Sequence, residues 1–424
     1  MVAASAHPDT SDAYHLYFTL QWGFRVRPGM RPRQLQRVFD KLVARHDSLR
    51  LRFVPTETGW AARIDETHPT GLTVTDLAKA SADEQQAFLH ELSQTAIKAH
   101  EGPCFELHLI RCGGEGDVVL LKAHHAIIDG YGLVILGEDL LKLFVHMPLS
   151  GQAMSHAEFV VDLERQTRKH RDDNLAFWMD ELLPLPEDLN IGRVARGLPA
   201  FTPHMMDKTI SLPAVFDAAE MRQLEELSAS SGATVFSLIY VAFCDAICAM
   251  AGQDRVMVCS WLGRQDAQSH RFVGCDNRMV QLIHRCCDAS VSDRANAVAQ
   301  NLYVASDALP SDVFLPGSPF MDVLEQENRT LWRFQIHNSL PAARLSSSPF
   351  GKFFWAGLNK VVRVGPISIE KLTFERSCES RFELSVFINQ SPEGHNATLV
   401  ADAASFDRDE LERVQAKMKE VLYP

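Results

Sequence analysis

The sequence predicts an α/β protein built from two lobes. Three observations carry this expectation. Segments with helical spacing of apolar residues alternate with short strand-like runs along the whole chain. A stretch dense in proline and glycine, 184–204, separates two parts of similar length. The chain of 424 residues is longer than one core usually holds, and two or three domains are expected. The expected division is an N-terminal lobe over 1–183, a linker over 184–204 and a C-terminal lobe over 205–424. A chain of this length buries about three quarters of its unfolded surface and needs neither disulfides nor metal to fold.

Each element has its own signal. Residues 31–46 place Leu35, Val38, Phe39, Leu42 and Val43 on one helical stripe, with Pro32 in the first turn. Leu49-Arg50-Leu51-Arg52-Phe53 alternates like a half-buried strand, with Arg50 and Arg52 on its polar face. A short strand at 72–74 and a polar helix ending near 92 follow. Residues 105–112 and 118–124 flank a Gly-rich tip and read as a hairpin. The second of these strands runs into His124-His125-Ala126-Ile127-Ile128-Asp129-Gly130, and a helix carrying Leu133, Leu136, Leu140, Leu141 and Phe144 follows. A long polar helix occupies about 157–183. Beyond the linker, Asp217 and Glu220 form a capping-box pattern, and an apolar helix spans 234–250. Strands are expected at 256–261, 331–338 and 368–374, a hairpin at 382–389 with 397–402, and a closing helix at 407–422.

Composition excludes several functions. There are 42 Lys and Arg against 54 Asp and Glu, a formal net charge of −12. That balance opposes nucleic-acid binding and a polybasic membrane contact. The most apolar stretch, 235–250, is interrupted by Asp245 and is shorter than the ~20 residues a membrane span needs. The start of the chain has no cationic segment leading into an apolar run, so no signal peptide is read. The nine cysteines are odd in number, irregular in spacing and contain no CxxC pair. They fit reduced, mostly buried thiols in a cytoplasm rather than a disulfide frame or a zinc site.

The chemistry concentrates at 124–130. On a strand only one of two successive histidines faces a given side. An imidazole with a pKa near ~6.5 suits proton transfer at neutral pH. Gly130 lets a backbone N–H approach a substrate at a helix N-terminus, where developing negative charge is favoured. Asp129 lies across the turn and is placed to orient a histidine or to anchor the loop to an arginine. The plain alternative is a pair of satisfied core histidines. Adjacent strand histidines diverge, so no metal is expected there.

These residues resemble a known family. His124 to Gly130, HHAIIDG, is similar to the core motif of nonribosomal peptide synthetase condensation domains, which belong to the chloramphenicol-acetyltransferase-like acyltransferases. RHDSLRLRF at 45–53 is similar to a second family motif. EGPCFELHLI at 101–110, Phe177-Trp178, Gly263-Arg264, Val273-Gly274 and Phe406-Asp407 match weaker ones, so the likeness spans nearly the whole chain. After Val273-Gly274 the chain departs from the family, with Asp276-Asn277-Arg278-Met279 in place of Phe-Val-Asn-Thr.

The resemblance implies two chloramphenicol-acetyltransferase-like lobes in a V, with the histidine motif at their junction. It puts His125 at the reacting centre and Gly130 N–H near the thioester oxygen, with His124 supporting. It makes Asp129 a structural anchor paired with an arginine, Arg50 first and Arg264 second. It implies a monomeric acyltransferase with no permanently bound cofactor. The donor would be an acyl or peptidyl carrier protein presenting a phosphopantetheine thioester. The acceptor would be a small-molecule or carrier-bound amine or hydroxyl. A coenzyme A-dependent O-acyltransferase and a degenerate docking module are the alternatives.

Overall fold

The computed structural model describes residues 6–7, 10–57, 59–67, 71–149, 151–202, 208–262, 271–309, 311–315, 317–338, 353, 361–374, 380–391 and 394–423. The chain forms two compact units. The first gathers Met1–Val160, Arg264–Asp276 and Pro341–Cys378, and the second gathers Val161–Gly263, Asn277–Leu340 and Glu379–Pro424. This replaces the simple division at 184–204. Residues 184–202 are held to the second unit by polar contacts. Arg333 donates to Asp188 and to the Leu189 and Ile191 carbonyls, while the Arg193 side chain reaches Asp402.

The first unit opens with α1 (Asp12–Tyr17) and β1 (Thr19–Arg27), then α2 (Pro32–Arg45). β2 (Leu51–Thr56) and β3 (Gly59–Ile64) form a separate hairpin. β4 (Thr73–Asp76), α3 (Ala82–Gln94), β5 (Phe105–Arg111), β6 (Asp117–His124) and α4 (Gly130–Phe144) follow. The helix α5 (His156–Leu182) leads towards the second unit's segments.

The second unit contains β7 (Thr209–Leu212), α6 (Ala218–Ser231), α7 (Val235–Ala251), β8 (Arg255–Leu262), β9 (Arg278–Arg285), α8 (Val291–Asp307), α9 (Pro319–Gln326) and β10 (Phe334–Asn338). The strands β11 (Val361–Val364) and β12 (Ile367–Leu372) return to the first unit. The second unit closes with β13 (Leu384–Ser391), β14 (Gly394–Asp402) and α10 (Arg408–Leu422).

Each unit is organised on a six-stranded mixed sheet. In the first the order is β11-β12-β1-β6-β5-β4, and in the second it is β7-β14-β13-β10-β8-β9. Every residue of β6 is buried, because β1 and β5 flank it antiparallel on both edges. Even Lys122 is covered, and its Nζ donates to the Leu92 and Thr95 carbonyls at 3.0 and 2.6 Å. Such a strand reads as a continuous apolar run, and VVLLKA does so.

In the second unit α7 is buried on nearly all sides, which explains its lack of a polar stripe. The capping box expected at Asp217 and Glu220 is present, and Thr234 caps α7 in the same way with Ser237. No single helix among the described residues is long and apolar enough to cross a membrane.

One expected element moves. Leu49 and Arg50 belong to a 3-10 turn at Asp47–Arg50, and the strand begins only at Leu51. Arg50 and Arg52 therefore do not share one strand face. The whole 45–50 motif acts as a brace. Arg45 Nε and His46 Nε2 both meet Asp139 Oδ2 on α4, at 2.9 and 3.0 Å. Asp47 receives the His156 N–H at 2.8 Å and the Ser155 hydroxyl at 2.7 Å where α5 starts.

Trp178 is fully buried in the second unit and donates its indole N–H to the Ala308 carbonyl at 3.0 Å. Trp178→Phe keeps most of the volume and orphans that carbonyl, and is expected to cost about 1–3 kcal/mol. Trp178→Ala is expected to cost about 3–5 kcal/mol. Urea unfolding followed by far-UV circular dichroism checks both, and equal losses would refute the separation of packing from hydrogen bonding.

Candidate active site

The end of β6 splits the two histidines. Neighbouring residues on a strand direct their N–H groups to opposite sides. Here the His124 N–H donates to the Cys104 carbonyl at 2.8 Å, while the His125 N–H donates to the Phe18 carbonyl at 2.7 Å. The side chains alternate in the same way. His124 is wholly buried, whereas His125 is partly exposed.

His124 builds the turn. Its Nδ1 accepts the Ala126 N–H at 3.0 Å, and its carbonyl accepts the Ile127 N–H at 3.0 Å. Its ring lies nearly parallel to that of Phe18, with centroids 6.1 Å apart. Burial first, then the neighbouring His125, pushes its pKa down to about 3. It is therefore a neutral hydrogen-bonding wedge rather than a proton carrier. Ile127 and Ile128, both fully buried, pin the turn beneath it.

Asp129 is the N-cap of α4. Its Oδ1 accepts the Gly132 N–H at 2.6 Å, and its Oδ2 accepts the Asp276 N–H at 2.9 Å. Its own N–H donates to the Gly274 carbonyl at 3.0 Å. One residue thus ties the histidine turn, the first turn of α4 and the 274–276 segment together. The approach is close enough to require glycine. A Cβ on Gly132 would sit 3.0 Å from the Gly274 oxygen, and a Cβ on Gly274 would collide with the Phe272 ring at 1.9 Å. Gly130, partly exposed, opens α4, so the positive end of a 15-residue helix begins five residues after His125.

Two sequence expectations change here. Arg50 does not pair with Asp129. Its guanidinium donates to the carbonyls of Val43, Asp65 and Glu66, which occupy its planar fork and fasten the 3-10 turn to the end of β3. Asp129 instead uses backbone N–H groups. Arg264, the second candidate partner, lies outside the described residues.

Sequence reasoning missed Cys275, whose Sγ lies 3.9 Å from His125 Nδ1. It also missed Phe18, whose carbonyl and ring hold both histidines. The Val273-Gly274 motif pointed towards the first. Nothing local in the sequence points to the second, which is a pairing across more than a hundred residues.

A strand-end histidine turn capped by an aspartate, on one of two six-stranded α/β units, defines a chloramphenicol-acetyltransferase-like fold. The chain belongs to the condensation-domain family, whose model matches residues 8–280, well over half of its length. It is 27% identical over 246 residues to tyrocidine synthase 3 of Brevibacillus parabrevis, a match covering 55% of this chain and 4% of that protein. The chain thus spans a small fraction of the curated relatives it matches.

Among solved structures, it resembles the X-domain from teicoplanin biosynthesis at 15% identity and a TM-score of 0.75, covering 99% of this chain and 91% of that one. It resembles the condensation domain of the Monacolin K polyketide synthase MokA at 13% identity and a TM-score of 0.72, covering 96% and 92%. Likeness at these identities speaks to the fold alone.

Two outcomes follow from this geometry. Asp129→Ala leaves two buried N–H groups without their acceptor and is expected to cost about 2–5 kcal/mol. The loss is to be read by chemical denaturation, with faster amide exchange at Gly132 and Asp276. His124 has a folded pKa far below the ~6.5 of an unfolded histidine. Above about pH 6.5 it has no effect on stability. Between there and about pH 3 the unfolded chain takes up a proton that the folded chain refuses, so stability falls by at most about 1.4 kcal/mol per pH unit. His124→Asn, which keeps an acceptor for Ala126 N–H, is expected to flatten that acid limb in urea titrations at stepped pH. An unchanged slope would contradict the assignment.

Proposed function

We propose that this chain is a condensation-type acyltransferase. It joins an acyl group, carried as a thioester on the phosphopantetheine arm of a carrier protein, to an amine or hydroxyl acceptor in natural-product biosynthesis. The observation that carries this reading is the asymmetry of the histidine pair. His124 is sealed and neutral, while His125 is held rigidly by its backbone and keeps its ring partly open to solvent.

The chemistry is a proton shuttle around acyl transfer. The acceptor nitrogen or oxygen attacks the thioester carbonyl, and a tetrahedral oxyanion forms. His125 takes the acceptor's proton and returns it to the departing sulfur as the C–S bond breaks. A proton on Nδ1, directed at the Cys275 sulfur, leaves Nε2 with the lone pair this needs. The N-terminus of α4 at Gly130 favours the oxyanion. The 274–276 segment and the Asp129 cap fix the turn, so positioning and proton transfer act together.

In this reading the carrier-borne arm is substrate, no permanently bound cofactor or metal takes part in the reaction, and the chain acts as a monomer in the cytoplasm. The net charge of −12 leaves a carrier, itself commonly acidic, to dock on a local apolar or basic patch. One observation favours a second reading, a docking module without catalysis. The X-domain from teicoplanin biosynthesis, which shares this fold, is known in complex with OxyB.

The test supplies one acyl-carrier thioester, or the corresponding acyl-coenzyme A, with a panel of amines and alcohols, and reads products by mass spectrometry. Carrier-dependent product is expected, and His125→Ala is expected to slow it by about 100- to 10,000-fold. Product formed only from acyl-coenzyme A would move the donor to coenzyme A. Turnover unaffected by His125→Ala would sink the catalytic reading.

A further inference from the structure

The sheet of the second unit has two unlike faces. Val258, Val280, Ile336 and Val386 point to one side and join the apolar core that includes α7. Strand alternation turns their neighbours to the other side. There Cys259 on β8 stands between its register partners, Gln281 of β9 and Gln335 of β10. Trp261, two residues along β8 from Cys259, shares that face.

This face carries a cation held by rings. The Arg381 guanidinium lies over the rings of Trp261 and Trp332, 4.3 and 4.9 Å from their centroids, with Phe382 at 5.8 Å. Rings hold a guanidinium by its charge and do not consume its N–H donors. Glu383, two residues on, is committed to Arg333 and to the Arg193 N–H. Arg381, Trp261 and Trp332 are all partly exposed.

The same face carries acceptors. Gln281 and Gln335 are each 1% exposed, and among the described residues no donor reaches the Oε1 of either. Gln281 Nε2 donates to the Leu331 carbonyl at 3.3 Å, which brings that amide to the chain neighbour of Trp332. A buried carbonyl oxygen without a donor costs stability, so it marks a place where a donor is wanted.

We propose that this face of the second unit binds a free amino acid, its carboxylate on Arg381 and its amino group on the Gln335 and Gln281 oxygens. A guanidinium and a carboxylate match as paired N–H donors and paired oxygens. An amino group has the N–H donors that the two amide oxygens lack. Cys259 and Trp261 stand about 7 Å apart along β8. One amino acid, with a hydrogen bond of about 2.9 Å at each end, covers that span. Naming this amino acid the acceptor rests on the acyltransferase reading above; its binding does not.

The test uses the full chain and a set of free amino acids, each beside its amide and its decarboxylated amine. Isothermal titration calorimetry is expected to find amino acids that bind, with the matching amide and amine weaker by about 10-fold or more. Arg381→Gln should weaken the acid about 10- to 100-fold, as loss of hydrogen bonds to a charged group does, and bring it level with its amide. Arg381→Lys, which keeps the charge without the fork, should fall between. Gln335→Leu removes an orphaned oxygen, so it should raise the urea midpoint of the unliganded chain while weakening the amino acid.

The proposal is overturned if no amino acid of the set binds, if the amides bind as tightly as the acids, or if Arg381→Gln leaves the affinities unchanged. The acid–amide comparison is made on the unaltered chain, so it decides the matter even if Arg381→Gln fails to fold. Binding without acyl transfer would keep this site and remove the acyltransferase reading. Acyl transfer equally fast to amines without a carboxylate would keep that reading and remove this site.

Discussion

The candidate site depends on one carboxylate. Asp129 spends both oxygens on backbone N–H groups from two separate stretches of chain, Gly132 and Asp276, and its own N–H on Gly274. A charged acceptor binding N–H donors is about twice as strong as a neutral one. Burial leaves water little opportunity to compete. The histidine turn is therefore not a free loop. It is clamped at one end by β6 and at the other by a helix cap that also holds a segment nearly 150 residues away in sequence.

Strand alternation then divides the labour between the histidines. The same pleat that turns His124 into the apolar layer turns His125 outward. Burial makes His124 neutral and useful only as an acceptor for Ala126 N–H. His125 is left partly exposed. The Arg45 and His46 contacts to Asp139 then fix α4, the helix that Gly130 opens. The 45–53 stretch thus reaches the histidine motif's own helix at Asp139.

Local pattern made α2, β6, α4, α7 and the capping boxes legible, because each carries its own periodicity or cap. It made His125 legible because a strand must send adjacent side chains apart. It failed where pairing is distant. β1, which flanks β6, hides its signature behind Gly23, and that glycine is required because the Phe374 ring lies where a Cβ would stand. β12 joins β1 from more than 340 residues away, which no local signal announces. Arg50 misled because Leu-Arg-Leu-Arg alternates like a strand while Asp47 and Ser48 begin a 3-10 turn. The anchor for Asp129 was sought among arginines, yet backbone N–H groups supply it, and they leave no residue-type signature.

The clusters at Asp129 and Asp245 use one construction. In each, a strand end delivers a pair of side chains, and a carboxylate on the neighbouring helix or its cap spends both oxygens on tying separate stretches of chain together. What differs is what the carboxylate engages. At Asp129 it is the backbone N–H groups of Gly132 and Asp276, and the turn they hold leaves His125 partly exposed. At Asp245 it is side chains, His284 and Cys286 on one oxygen and Arg294 on the other, so the groups there satisfy one another. Similar donor chemistry thus fixes a backbone turn at one place and joins a helix to a strand at the other.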